Sequence, residues 1–201
     1  MSVTVVDHAL AGHLLAQIRN EGTPPPVFRT LAKRLALTLA SEAIRDLPTA
    51  EITVRTPLEE TTGRVLGDLV AVPILRAGLG MLEAVTELFP EVAVGYIGLE
   101  RDEASLEPQS YYRKLPPVRG RHVLVLDPML ATGGSGSAAT AAVREGGPAS
   151  IRCSMLSSTS SSDPSRTAVI NPLTEESVTA MFSPRARAMR PSTPPKARSS
   201  R

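Results

Sequence analysis

The sequence predicts an α/β fold, a parallel sheet flanked by helices, and three observations carry the prediction. Leu69–Leu75 (LVAVPIL) and His122–Leu126 (HVLVL) are apolar runs without alternation, the pattern of strands buried on both faces. Helical segments follow each of them, Leu79–Phe89 with an apolar inward face after the first and the Ala-rich Gly136–Glu145 after the second. The resulting order of strand, helix, strand, arm, strand and helix calls for right-handed crossovers in one sheet.

Each element has its own justification in chain order. His8–Ile18 sets Leu10, Leu14 and Ile18 on one stripe, with Asp7 placed to cap a first helix. Thr23-Pro24-Pro25-Pro26 ends it, and Phe28–Arg45 forms a longer helix with Leu31, Leu35, Leu39 and Ala43 on one face. Glu51–Arg55 and Arg64–Leu66 read as a small hairpin. In the helix Leu79–Phe89, Leu82, Val85, Leu88 and Phe89 point inward, and Val92–Leu99 is the second strand. Arg101–Leu115 is charged, polar and broken by proline, so it reads as a long loop or arm.

Beyond Ser150 the composition changes. Residues 151–201 hold 12 serines, against 7 in residues 1–150, and the segment from Ser183 onward mixes Pro, Ser, Arg and Ala without an apolar period. Such a chain buries too little surface to offset its ordering entropy, so disorder is expected from about residue 157. The division that follows is a core over residues 1–156 and a Ser/Pro/Arg-rich tail over 157–201.

Charge follows the same division. Of 22 basic and 20 acidic residues, six basic and no acidic ones lie in 183–201, which leaves residues 1–182 at −4. A mildly acidic body argues against nucleic acid as a partner of the folded part. No run approaches the roughly 18 apolar residues of a membrane span. Met1–Leu15 lacks the basic and apolar regions of a signal peptide. A single cysteine, Cys153, excludes an internal disulfide and fits a cytoplasmic location. His8, His13 and His122 have no metal-ligand spacing and take structural roles, and Cys153 reads as inert.

Two strand ends carry chemistry. In Val123-Leu124-Val125-Leu126-Asp127-Pro128-Met129-Leu130-Ala131-Thr132-Gly133-Gly134-Ser135 an apolar strand stops at an acid, and a glycine-bearing loop opens a helix. Backbone amides at such a helix start, with the positive end of the helix dipole and the hydroxyls of Thr132, Ser135 and Ser137, suit a phosphate monoester. Asp127 at the strand end suits the vicinal hydroxyls of a sugar. No Lys follows the last glycine, so this is not a Walker A loop, nor does it match GxGxxG. A plain strand–turn–helix, with Asp127 capping, uses the same residues. In Val72-Pro73-Ile74-Leu75-Arg76-Ala77-Gly78-Leu79-Gly80 a second strand end carries Arg76, whose donor fork matches diphosphate oxygens. Arg101 closes the second strand and leads into the arm with Tyr111, Tyr112, Arg113 and Lys114, a candidate lid.

Val72–Gly80 (VPILRAGLG), Gly98–Glu103 (GLERDE), Tyr111–Leu115 (YYRKL) and Asp127–Ser135 (DPMLATGGS) resemble, in order and spacing, the uracil phosphoribosyltransferases, over about residues 3–151. The resemblance implies a phosphoribosyltransferase type I-like sheet and transfer of ribose 5-phosphate from 5-phosphoribosyl 1-diphosphate to uracil, giving UMP and diphosphate in pyrimidine salvage. By the same resemblance Asp127, Pro128, Met129, Leu130, Ala131, Thr132, Gly133, Gly134 and Ser135 hold the ribose 5-phosphate. Arg76 and Arg101 hold the diphosphate, and Mg²⁺ is the cofactor with no ligands assigned. Members are commonly oligomeric and some respond to GTP.

Members of that family continue with further strands and a Gly-Asp-Ala-Gly-type loop that recognises uracil. No such loop occurs here, so no uracil-binding residue is assigned, and the sheet is expected to be incomplete at the C-terminus. The expectation is that residues from about 150 onward come from a shifted reading frame or a truncated copy. An apolar sheet edge would then be exposed and catalysis impaired. The alternative function class is a catalytically inactive protein of the same fold that binds phosphoribosyl diphosphate or RNA and acts as a regulator.

Overall fold

The computed structural model describes residues 2–101, 108–130, 134–157 and 167–171. Among the described residues ten strands and four helices follow in chain order: β1 (Ser2–Val6), α1 (Ala9–Ile18), α2 (Pro25–Ala43), β2 (Thr49–Arg55), β3 (Glu60–Leu66), β4 (Leu69–Leu75), α3 (Leu79–Leu88), β5 (Ala93–Val94), β6 (Tyr96–Arg101), β7 (Pro108–Lys114), β8 (His122–Leu130), α4 (Gly134–Arg144), β9 (Ser150–Ser157) and β10 (Thr167–Asn171).

The main sheet runs β1-β10-β9-β8-β4-β6-β7, with β5 also paired to β4. Its centre, β9-β8-β4-β6, is parallel, and β1, β10 and β7 are antiparallel additions. The parallel α/β sheet expected from the sequence is therefore present. Burial on both faces explains why β4 and β8 do not alternate. Leu69, Ala71, Leu124 and Leu126 pack under α1, α2 and α3, while Val70, Val72, Ile74, Val123 and Val125 face α4 with Ile97, Ala139, Val143, Ile151 and Cys153.

Several element ends differ from the sequence reading. The cap of α1 is His8 rather than Asp7, with His8 Nδ1 accepting the Leu10 amide at 3.1 Å. Proline suits a first helical turn, so α2 starts at Pro25, before Phe28. The inward face of α3 is Met81, Ala84 and Val85. Leu82 and Phe89 only border the core, and Leu88 is exposed, a rotation of the stripe that leucine spacing alone does not fix. The second strand is interrupted at Gly95, where the Gly95 amide bonds Ala71 O at 2.9 Å. Half of the arm is a strand: β7 pairs antiparallel with β6, so backbone ladder bonds replace the expected loop, and residues 102–107 lie outside the described ones.

Thr167–Asn171, inside the segment expected to be disordered from about residue 157, forms β10. Its Ala168, Val169 and Ile170 register with Met155, Ser154 and Cys153 of β9, and β1 pairs with its other side. The β9 edge that a missing C-terminus would expose is thereby paired. A short β-branched stretch inside a serine-rich context is below what composition can resolve. The remainder of the tail lies outside the described residues.

Candidate active site

Register places the predicted site residues at one edge of the sheet. Pro73 of β4 is opposite Leu126 of β8, and Leu75 is opposite Gly98 of β6. Arg76 follows Leu75 directly, Asp127 follows Leu126 directly, and Arg101 is the last residue of β6. Arg76, Arg101 and Asp127 thus lie at or near the carboxyl ends of three neighbouring parallel strands, and ligands of open α/β sheets sit beyond such ends.

The turn after β4 is tight. Gly78 N bonds Ile74 O at 2.9 Å and Leu79 N bonds Arg76 O at 3.2 Å, so the chain folds back on its strand before α3 begins. The Leu75–Arg76 peptide is cis. Arg76 is exposed, and among the described residues no hydrogen bond or ion pair engages its guanidinium. Arg101 is placed by its backbone, paired with Pro108 of β7.

Asp127 is 8% exposed, a buried carboxylate near the carboxyl end of β8, which lies between β9 and β4. The sequence reading ended the strand at Leu126, but β8 continues through Leu130, so Asp127, Pro128, Met129 and Leu130 are strand rather than loop. Pairing with β9 supplies the reason. Asp127 registers with Met155 and Leu130 with Ser157, with an irregularity between them. Ala131, Thr132 and Gly133 lie outside the described residues. Gly134 and Ser135 open α4, which starts two residues before the expected Gly136 and packs Gly136 and Ala139 inward. The helix start therefore faces the edge that carries Asp127, where amides and dipole favour an anion.

Cys153 lies behind this edge, opposite Val125, and is fully buried. Burial foremost, and the nearby Asp127 charge second, push its thiol well above the ordinary 9.0. It is a protonated core residue and not a nucleophile, as its sequence context indicated. Among the described residues no cluster of three or more His, Cys, Asp or Glu side chains is placed to hold a metal. Among the described residues Asp127 offers a buried carboxylate here, which fits an ion such as Mg²⁺ that binds through one or two carboxylates and substrate oxygens rather than an all-protein cage.

Two surface cavities lie elsewhere. One of about 570 Å³ is lined by Asp46, Arg144 and Arg152 at the amino end of β9, and one of about 370 Å³ sits between α1 and α2. The sequence reading missed the part played by Gly78. A Cβ there would stand 2.4 Å from Leu126 O, so the Arg76 turn lies directly against β8. The glycine is visible in the sequence, but its neighbour on another strand is not.

Comparison with known proteins agrees with this geometry. A family model described as uracil phosphoribosyltransferase matches residues 5–170, which carries the resemblance past Ile151. A uracil phosphoribosyltransferase of Kocuria rhizophila is 47% identical over 159 residues, covering 78% of this chain and 75% of its own. That of Thermus thermophilus is 47% identical over 76% of this chain and 74% of its own. A solved protein of Aquifex aeolicus superposes with a TM-score of 0.72 at 34% identity, covering 76% of this chain and 74% of that one. With motifs, register and family model in agreement over most of its length, the chain belongs to the uracil phosphoribosyltransferase family.

Proposed function

We propose that the chain transfers ribose 5-phosphate from 5-phosphoribosyl 1-diphosphate to N1 of uracil, releasing diphosphate and forming UMP. The observation that carries this is the shared register of β4, β6 and β8, which supports a site with Arg76, Arg101 and Asp127 on one edge. The C1–O bond to diphosphate breaks as the bond to uracil N1 forms, the N1 proton passes to the departing diphosphate or to water, and C1 gains oxocarbenium character between them. Arg76 and Arg101 stabilise the charge growing on the leaving diphosphate, an electrostatic contribution of about 3–4 kcal/mol for one well-placed donor. Asp127 accepts hydrogen bonds from the ribose hydroxyls and orients C1. The residues Pro128 to Ser135, with the start of α4, hold the 5-phosphate. Asp127 would help to hold a Mg²⁺ ion, which would neutralise diphosphate charge. No nucleophilic side chain is required.

In this role the chain is a cytoplasmic enzyme of pyrimidine salvage, with GTP as an effector by family resemblance. Among the described residues no helix is long and apolar enough to cross a membrane. A second copy of the chain is the expected partner. The hairpin β2–β3 supports this: Ala50, Ile52, Val54 and Val65 share one face, and Ile52 and Val65 are both 41% exposed. A core over residues 1–156 with a Ser/Pro/Arg-rich tail that contributes β10 to the sheet belongs to the same proposal.

The test is UMP formation by the purified full chain from uracil, 5-phosphoribosyl 1-diphosphate and Mg²⁺. Asp127→Asn is expected to lower kcat/KM by about 10²-fold or more while keeping the fold, since an oriented acceptor on C1's neighbouring hydroxyls is lost. Donor binding without UMP from the unaltered chain would support the non-catalytic regulator instead, which the family match does not favour.

A further inference from the structure

The turn that carries Arg76 and the strand end that carries Asp127 meet at one point, and the residue at that point is Gly78. Its backbone is ordinary, φ −64° and ψ −15°, so no left-handed conformation calls for glycine. Space does. A Cβ at Gly78 would sit 2.4 Å from Leu126 O, 2.8 Å from Ile74 N and 2.9 Å from Ile74 O. All three are backbone atoms, which cannot swing aside as a side-chain tip can. Leu126 O belongs to the peptide that joins Leu126 to Asp127. A methyl group at residue 78 must therefore push the Arg76 turn away from β8, move the Asp127 peptide, or both. Elsewhere a glycine is idle: a Cβ on Gly12 meets nothing within 4 Å.

We infer that Gly78 is a positioning residue that sets the separation between the diphosphate side and the ribose side of the donor site. The inference deepens the donor-site proposal above and rests on it. 5-Phosphoribosyl 1-diphosphate is one rigidly joined ligand with an anionic group at each end. Its two halves reinforce one another only when the two subsites stand at the right distance. A change in that distance leaves each half-site intact and removes the gain from joining them.

This distinguishes positioning from general damage. Diphosphate alone and ribose 5-phosphate alone each probe one half-site, and the intact donor probes their separation. In calorimetric titrations of the full chain with Mg²⁺, Gly78→Ala is expected to bind each fragment within about twofold of the unaltered protein. It is expected to bind the intact donor about tenfold or more weakly, the order of loss seen when reacting groups are misplaced by a fraction of an ångström to an ångström. Gly12→Ala, a glycine replaced in open space, is expected to leave all three affinities unchanged. Ala77→Gly is the second probe: it adds no atom, loosens the same exposed turn, and is expected to weaken donor binding about two- to fivefold with the fragments unaffected. Donor affinity unchanged in Gly78→Ala overturns the inference, and so does a proportional loss of all three ligands. If Gly78→Ala does not fold, unchanged donor binding in Ala77→Gly overturns it. An unaltered protein that binds neither the donor nor diphosphate overturns the donor-site proposal itself, a result distinct from these.

Discussion

The two ends of the parallel strands differ in how their charged groups are engaged. At the amino ends the chain binds itself. Arg121 donates to Pro117 O and Leu69 O, each at 3.2 Å, and lies 3.8 Å from Asp68. The His122 amide bonds Asp68 O at 2.9 Å, and its ring lies 2.8 Å from Ser150 Oγ. Arg152, with its side chain 11% exposed, pairs with Asp46 at 3.2 Å. At the carboxyl ends Arg76 is exposed and unengaged among the described residues. A guanidinium consumed by backbone carbonyls is a structural staple, and one left in solvent beside a helix start is available to an anion. Similar chemical groups thus have opposite uses at opposite ends of one sheet.

Replacing one arginine at each end tests the contrast. Arg76→Ala is expected to lower kcat/KM for UMP formation by about 10²–10³-fold, with thermal stability within about 0.5 kcal/mol of the unaltered protein, as for other exposed positions. Arg121→Ala is expected to do the reverse. It leaves two carbonyls and Asp68 without their donor, costs about 1–3 kcal/mol by denaturant unfolding, and leaves KM for the donor unchanged. Equal effects of both variants on activity would erase the distinction between the two ends.

The same contrast explains what the sequence disclosed. Leu69–Leu75 was legible to the residue because a strand between two helical layers is apolar throughout, and that needs no knowledge of its neighbours. Arg76 and Asp127 were legible because each stands where an apolar run stops. Contacts between strands were not legible. The continuation of β8 through Leu130 depends on β9, the strand Thr167–Asn171 depends on edges offered by β1 and β9, and the need for glycine at 78 depends on Leu126 O. The exposed apolar face of β2–β3 escaped notice for a related reason. Its alternation is plain only once Ala50 is seen opposite Val65 and Glu51 opposite Arg64.

The smallest expected effect concerns Cys153, which reports on the carboxyl-end charge without any ligand. Folding raises this thiol's pKa, mainly by burial and in part through Asp127. The folded protein keeps the proton over a range in which the unfolded chain, at 9.0, releases it. Stability from this source is complete below that value and is lost as pH rises from it through the folded pKa. Lys33, raised by its bonds to Glu87 and Glu83, begins to lose its contribution only above 10.5, so the decline that starts at 9.0 belongs at first to the thiol. Denaturant midpoints followed from neutral pH upward until the thiol's decline levels off should fall further in the unaltered protein than in Cys153→Ala. In Asp127→Asn the second cause is gone, the folded thiol pKa moves back toward 9.0, and the total decline should shrink without vanishing. A decline that Asp127→Asn leaves unaltered would mean that the acid at the carboxyl end carries no charge felt by its neighbour, and the electrostatic account of that edge would fail with it.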